Sequence, residues 1–192
     1  SLIGPADSPI ISITLNVIWV LVLLTLLLVS LIDIRTNLIP DETNLFLGTL
    51  GILLTFLAAK EFSLANGSSL GSYALIFGWQ ENIWANRILA AAGAALFFGI
   101  IILATRGRAM GLGDLKLALA LGAVFGWPDI LLIIMLAFIV GALFGVAAIV
   151  LGRKTLKSFL PFGPFLAASA AAVFFWGPQL IGSYFKLLNL FL

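Results

Sequence analysis

Apolar residues fall in long runs along this chain, separated by short polar segments. A helix needs about 20 apolar residues to cross the hydrocarbon core of a bilayer. Ile10–Ile32 carries no charge and is the clearest such run. Thr43–Ala59 is a second, slightly short, and Ile88–Thr105 a third, rich in alanine and glycine. Leu115–Trp127 is a fourth, with Lys116 near one end, where its ammonium can snorkel to the interface. Ile130–Leu151 and Pro164–Ile181 complete the set. The tail Tyr184–Leu192 is apolar around Lys186 and either extends the sixth run or lies in the interface. The pattern predicts an all-α membrane protein, a polytopic bundle of about six transmembrane helices in one membrane-embedded domain over residues 1–192.

Composition points the same way. The chain is 62% hydrophobic and 9% charged, against about 25% charged in a soluble domain. It could not cover itself with water-compatible surface. It has no cysteine and no histidine. Disulfide frameworks, thiol nucleophiles, Cys/His metal sites and imidazole bases are therefore excluded. Acid–base chemistry must come from Asp, Glu, Lys or Tyr, and neither a metal nor a cofactor is expected. The net charge is only +2, with no basic stripe interleaved with aromatics, so nucleic acid is not an expected partner. Ser1–Ser8 lacks a basic segment, so the first apolar run does not read as a cleavable signal.

The connections carry the polar chemistry. Asp33–Glu42 is short and polar, and Lys60–Arg87 is long, with Trp79 and Trp84, a residue type that favours membrane interfaces. Arg106–Asp114 is basic and glycine-rich, Trp127–Asp129 is a tight turn, and Gly152–Gly163 is basic before Pro-Phe-Gly-Pro. If the first helix runs outward to inward, one side holds Arg35, Arg106, Arg108, Arg153, Lys154 and Lys157, with Lys116 close by. The other side holds Lys60, Arg87 and Lys186. This bias puts the first group in the cytoplasm and the N-terminus outside. Gly122 with Gly126, and Gly141 with Gly145, have the spacing of close helix packing.

Asp7, Glu61, Glu81 and Asp129 fall on the outer side, where solvated loop charge accounts for them. Asp41 and Glu42 open a helix, where acidic groups complement the macrodipole. Asp33 has no such explanation. It sits at the C-terminal end of the first span, where the dipole disfavours negative charge, and an ionisable group placed against both bilayer and dipole is a functional candidate. Asp114 follows Gly111-Leu112-Gly113 and opens the fourth span. It reads equally as an N-cap beside a glycine turn or as a functional carboxylate. Both residues map to cytoplasmic helix ends, and adjacent helices would bring them together. Two carboxylates sharing a site do not both ionise readily. The charged one can take a proton from water while the neutral one donates to a carbonyl oxygen, as in an aspartic protease. The glycines leave room for a substrate backbone.

The segment "MGLGDLKLALALGAVFGW" resembles the GxGD signature of the type IV prepilin peptidase family. "SLIDIRTNLIPDETN" resembles that family's first aspartate motif, and "FLPFGPFLAASA" its late Pro-Phe-Gly-Pro segment. The resemblance implies a membrane-embedded aspartic endopeptidase of the bacterial inner membrane. Such enzymes remove the short basic leader from prepilins and pseudopilins at the cytoplasmic face, after a glycine. It assigns the catalytic pair to Asp33 and Asp114. It implies that Gly111, Gly113, Lys116, Pro161, Gly163 and Pro164 form the substrate-binding loops, and that the partners are a prepilin or pseudopilin and the lipid bilayer. Asp41 matches a position the family fills with Asp or Asn. Presenilin-type proteases share GxGD, but their Tyr-Asp and Pro-Ala-Leu motifs are not found. Nor are the paired CxxC motifs of the family's methyltransferase region, so the chain is expected to be either a peptidase-only member or one from which that region has been removed.

A proton or cation transporter could use the same carboxylates as a relay. A relay, however, usually needs acidic groups at several depths, and here they cluster at one face with no internal repeat.

Overall fold

The computed structural model describes residues 9–59, 82–108, 110–152 and 161–191. Among these there are six helices and no strands: α1 Pro9–Thr36, α2 Asp41–Ala58, α3 Ile83–Thr105, α4 Leu112–Phe125, α5 Asp129–Val150 and α6 Gly163–Phe191. The expected all-α membrane architecture is what is found. Three helices have the length and apolarity to cross a bilayer unaided: Ile11–Thr36 within α1, then α3 and α5. Asp7, Glu61, Glu81, Lys60, Trp79, Arg153, Lys154 and Lys157 lie outside the described residues.

α4 is the centre of the bundle. At 14 residues it is about 21 Å long, at 1.5 Å per residue, too short to span the hydrocarbon core alone. Its neighbours shield it instead. Leu117, Ala118, Leu121 and Val124 have no exposed surface. α3 and α2 pack along its two sides, α2 continues onto α1, α1 onto α6, and α6 onto α5. Small residues allow these approaches. A Cβ on Gly122 would lie 2.6 Å from Ala91 Cα, and one on Gly51 2.9 Å from the Ala123 carbonyl carbon. The outer faces stay apolar: Leu24, Leu27, Leu31, Leu96, Leu103, Leu143 and Val146 are exposed, as suits contact with lipid tails.

The starts of α3 and α4 lie furthest from the hydropathy pattern. α3 begins at Ile83, because Asn82 caps it by accepting from the Trp84 (3.0 Å) and Ala85 (3.3 Å) backbone N–H groups. Arg87 is thus inside a helix rather than in the outer loop. Its Nη1 donates to the Gly51 and Ala123 carbonyls, both at 3.2 Å, and Asp129 is its electrostatic partner. Asp129 is fully buried rather than solvated. Beside this cluster Asn86 holds the turn after α4, donating to the Trp127 carbonyl (2.9 Å) and accepting from the Trp127 N–H (3.0 Å). The second difference is at α4, which starts at Leu112 and takes Gly113 and Asp114 into its first turn.

Candidate active site

The site forms where α1 ends and where α4 and α6 begin. Asp33 lies in the last turn of α1 and is 4% exposed; Asp114 lies in the first turn of α4 and is 6% exposed. Both line a cavity of about 220 Å³, closed by Asn37, Ile39, Asp41, Gly111, Gly113 and Phe162. Asp33 lies within electrostatic reach of Asp114.

Each carboxylate is held by a helix N-terminus. The Gly163 N–H donates to Asp33 Oδ2 at 3.0 Å. Gly163 opens α6, so this bond satisfies one of the orphan donors of that helix. The positive end of α6 thereby offsets the negative end of α1, where Asp33 sits. Glycine is required for the contact, because a Cβ at position 163 would stand 2.6 Å from Asp33 Oδ2. The Gly111 N–H donates to Asp114 Oδ2 at 3.3 Å. Gly111 is the N-cap of α4 and Asp114 is its third helical residue. The aspartate is therefore not the cap itself. It supplies one half of a capping box, whose other half is missing because glycine has no side-chain oxygen.

Of the loop residues named from the sequence, Gly111 and Gly113 line the cavity and Gly163 touches Asp33. Gly113 lets the loop after α1 close over the site, since a Cβ there would lie 3.1 Å from Ile39 Cβ. Pro161, Pro164 and Lys116 do not line the cavity. The two prolines flank the short turn that presents Phe162 and the Gly163 N–H. Lys116 forms an exposed ion pair with Asp41, 2.7 Å to each carboxylate oxygen. Asn37, Ile39 and Phe162 were not singled out from sequence, although each lies inside a segment that carries the family resemblance. Among the described residues no group of three or more acidic side chains could hold a metal ion.

Chemically, the cavity offers two carboxylates from separate helix ends, with one backbone hydrogen bond to each. Such a pair can share one proton and titrates as a unit. That is the arrangement needed to deprotonate a water and protonate an adjacent oxygen.

Residues 20–146 match the type IV leader peptidase family. The chain is 30% identical over 165 residues to the prepilin leader peptidase/N-methyltransferase of Stutzerimonas stutzeri, covering 86% of this chain and 51% of that protein. It is 33% identical over 161 residues to the protein of the same name from Pseudomonas aeruginosa, covering 84% and 50%. The Bacillus subtilis protein is 32% identical over 162 residues, covering 84% and 56%. The chain thus spans about half the length of these relatives. No solved structure matches it. With a family match that takes in both Asp33 and Asp114, this chain belongs to the type IV leader peptidase family.

Proposed function

We propose that the chain is an intramembrane aspartic endopeptidase that removes the leader from type IV prepilins or pseudopilins, with Asp33 and Asp114 as the catalytic pair. The observation that carries this reading is the convergence of two buried carboxylates on one cavity from opposite helix termini. A structural role for each alone would not require them to share a space.

In the reaction, the ionised carboxylate takes a proton from a water. The resulting hydroxide oxygen bonds to the scissile carbonyl carbon, and the protonated partner donates to the carbonyl oxygen. A tetrahedral intermediate forms. Its collapse breaks the C–N bond as the leaving nitrogen takes up a proton, and the shared proton returns to the pair. No separate acid and base are assigned, because the two groups titrate together. Gly111 and Gly113 line the cavity without side chains, leaving room for the substrate backbone. The basic segment Arg106–Arg108 at the same end of the bundle sets this face toward the cytoplasm, by the excess of positive charge on cytoplasmic loops. In bacteria the membrane would be the inner one.

The test is cleavage of a prepilin-type substrate by the purified chain in liposomes, with N-terminal sequencing of the product. A new N-terminus just beyond the basic leader is expected. An intact substrate after prolonged incubation with the folded protein would sink the reading.

A further inference from the structure

A second concavity adjoins the first. It is a groove of about 660 Å³ between α2 and α4, walled by Leu45, Ile52, Leu119 and Ala123. The exposed Lys116–Asp41 pair stands on its rim. Asp41 also lines the dyad cavity, so the two spaces meet at that residue.

Two features of this groove are not explained by packing within the protein. The first is Asn44, which lines it and is 7% exposed. Neither its Nδ2 nor its Oδ1 has a hydrogen-bond partner among the described residues. An unpaired buried amide is costly, and native structures keep few of them. Asn86 shows what such an amide does elsewhere in this fold: it grips both the N–H and the carbonyl of Trp127. A side-chain amide carries one donor end and one acceptor end, the same pattern that a peptide unit presents.

The second feature is Gly48, which also lines the groove. Glycine inside a helix is disfavoured relative to alanine. The next glycine of α2, Gly51, is accounted for by the backbone of Ala123 against it. A Cβ at Gly48 would meet nothing within 4 Å. No neighbour among the described residues demands this glycine. It keeps the groove open.

We infer that the groove seats an extended, apolar stretch of the polypeptide substrate next to the scissile bond, with the Asn44 amide pairing to one of its peptide units. This rests on the peptidase reading above and names how that site holds its substrate. The segment must be unwound at Asn44, since a helix satisfies its own backbone groups and has none to offer. A scissile bond must be unwound for the same reason. A lipid acyl chain fits the apolar walls but gives Asn44 nothing to bond. The Lys116–Asp41 pair is exposed on both sides and therefore weak. It is a light closure that the incoming segment parts to reach both Asn44 and the dyad. Asn44 is a positioning residue.

The experiment uses the full chain in liposomes and a synthetic peptide with a short basic leader, a glycine and about 20 apolar residues, a span's worth. In an Asp114→Asn background, a photoreactive side chain at Ile52 is expected to cross-link this peptide. Asn44→Leu and Gly48→Leu should each reduce that yield about tenfold. In the active background, Asn44→Leu should raise KM about tenfold with kcat within twofold and with no fall in Tm. A merely structural asparagine would give the reverse split, an unchanged KM with a lower Tm, and that result overturns the inference. Cross-linking to lipid alone also overturns it. If wild type cleaves while both substitutions leave KM unchanged, the groove assignment fails and the peptidase reading stands. If the peptide cross-links and is displaced by Asn44→Leu but is never cut, the peptidase reading fails and the peptide groove survives.

Discussion

Asp33 is held by a bond that no local sequence feature announces. Its partner, the Gly163 N–H, is 130 positions away. That Asp33 needed a partner was legible, because a carboxylate at the C-terminal end of a helix opposes the dipole. Which group would supply it was not, because that depends on how α6 packs on α1. Gly163→Ala is expected to push the Asp33 carboxylate aside. Catalysis should then fall about 10- to 100-fold with the helices intact, read as kcat beside circular dichroism. Asp114 was equally readable as a cap; it accepts from the Gly111 N–H as half of a capping box and also lines the cavity. The pair should show a bell-shaped pH profile. On the acid side both carboxylates are protonated and the base is lost; on the alkaline side both are ionised and the acid is lost. Activity flat from neutral to strongly acid pH would count against a shared proton. Asn44 closes the quoted segment around Asp33 but was not singled out there, since one asparagine in the first turns of a helix is ordinary. Only the unpaired amide marks it.

Among the elements, α3 and α4 show where hydropathy alone misplaces a boundary. Arg87 appeared to lie in the loop before the third apolar run, yet its charge is absorbed by two carbonyls of neighbouring helices and by Asp129. A sequence shows the cost of a charge but not the groups that offset it. Arg87→Met should therefore destabilise the bundle by about 1.5–3 kcal/mol, the usual worth of hydrogen bonds to a charged group, seen as a lower Tm in detergent. The glycine spacing was read correctly at Gly122, whose absent side chain admits the α3 backbone at Ala91. Gly122→Val should force α3 and α4 apart at a cost of about 1–3 kcal/mol or more. A Tm unchanged by that substitution would show that the two helices are not in the described contact.

For the whole molecule, the packing of the other described helices around a short, shielded α4 explains why the chemistry sits at one end. α4 is too short to span alone, so its N-terminus starts inside the ring, level with the ends of α1 and α6. The all-helical class was legible from the length of the apolar runs. The ring order of the helices was not, because lipid-facing and buried faces are equally apolar in such a chain. The far end of the bundle carries a different charged cluster, Arg87 with Asp129, held by carbonyls and a turn. The central claim is that Asp33 and Asp114 act as one catalytic pair on a leader-bearing substrate. The measurement that tests it most directly is cleavage by wild type, Asp33→Asn, Asp114→Asn and the double variant, side by side in liposomes at matched Tm. Groups acting as a unit are non-additive, so each single variant should lose roughly 10³-fold or more and the double should be no worse than either single. Either single variant within tenfold of wild type would contradict the account.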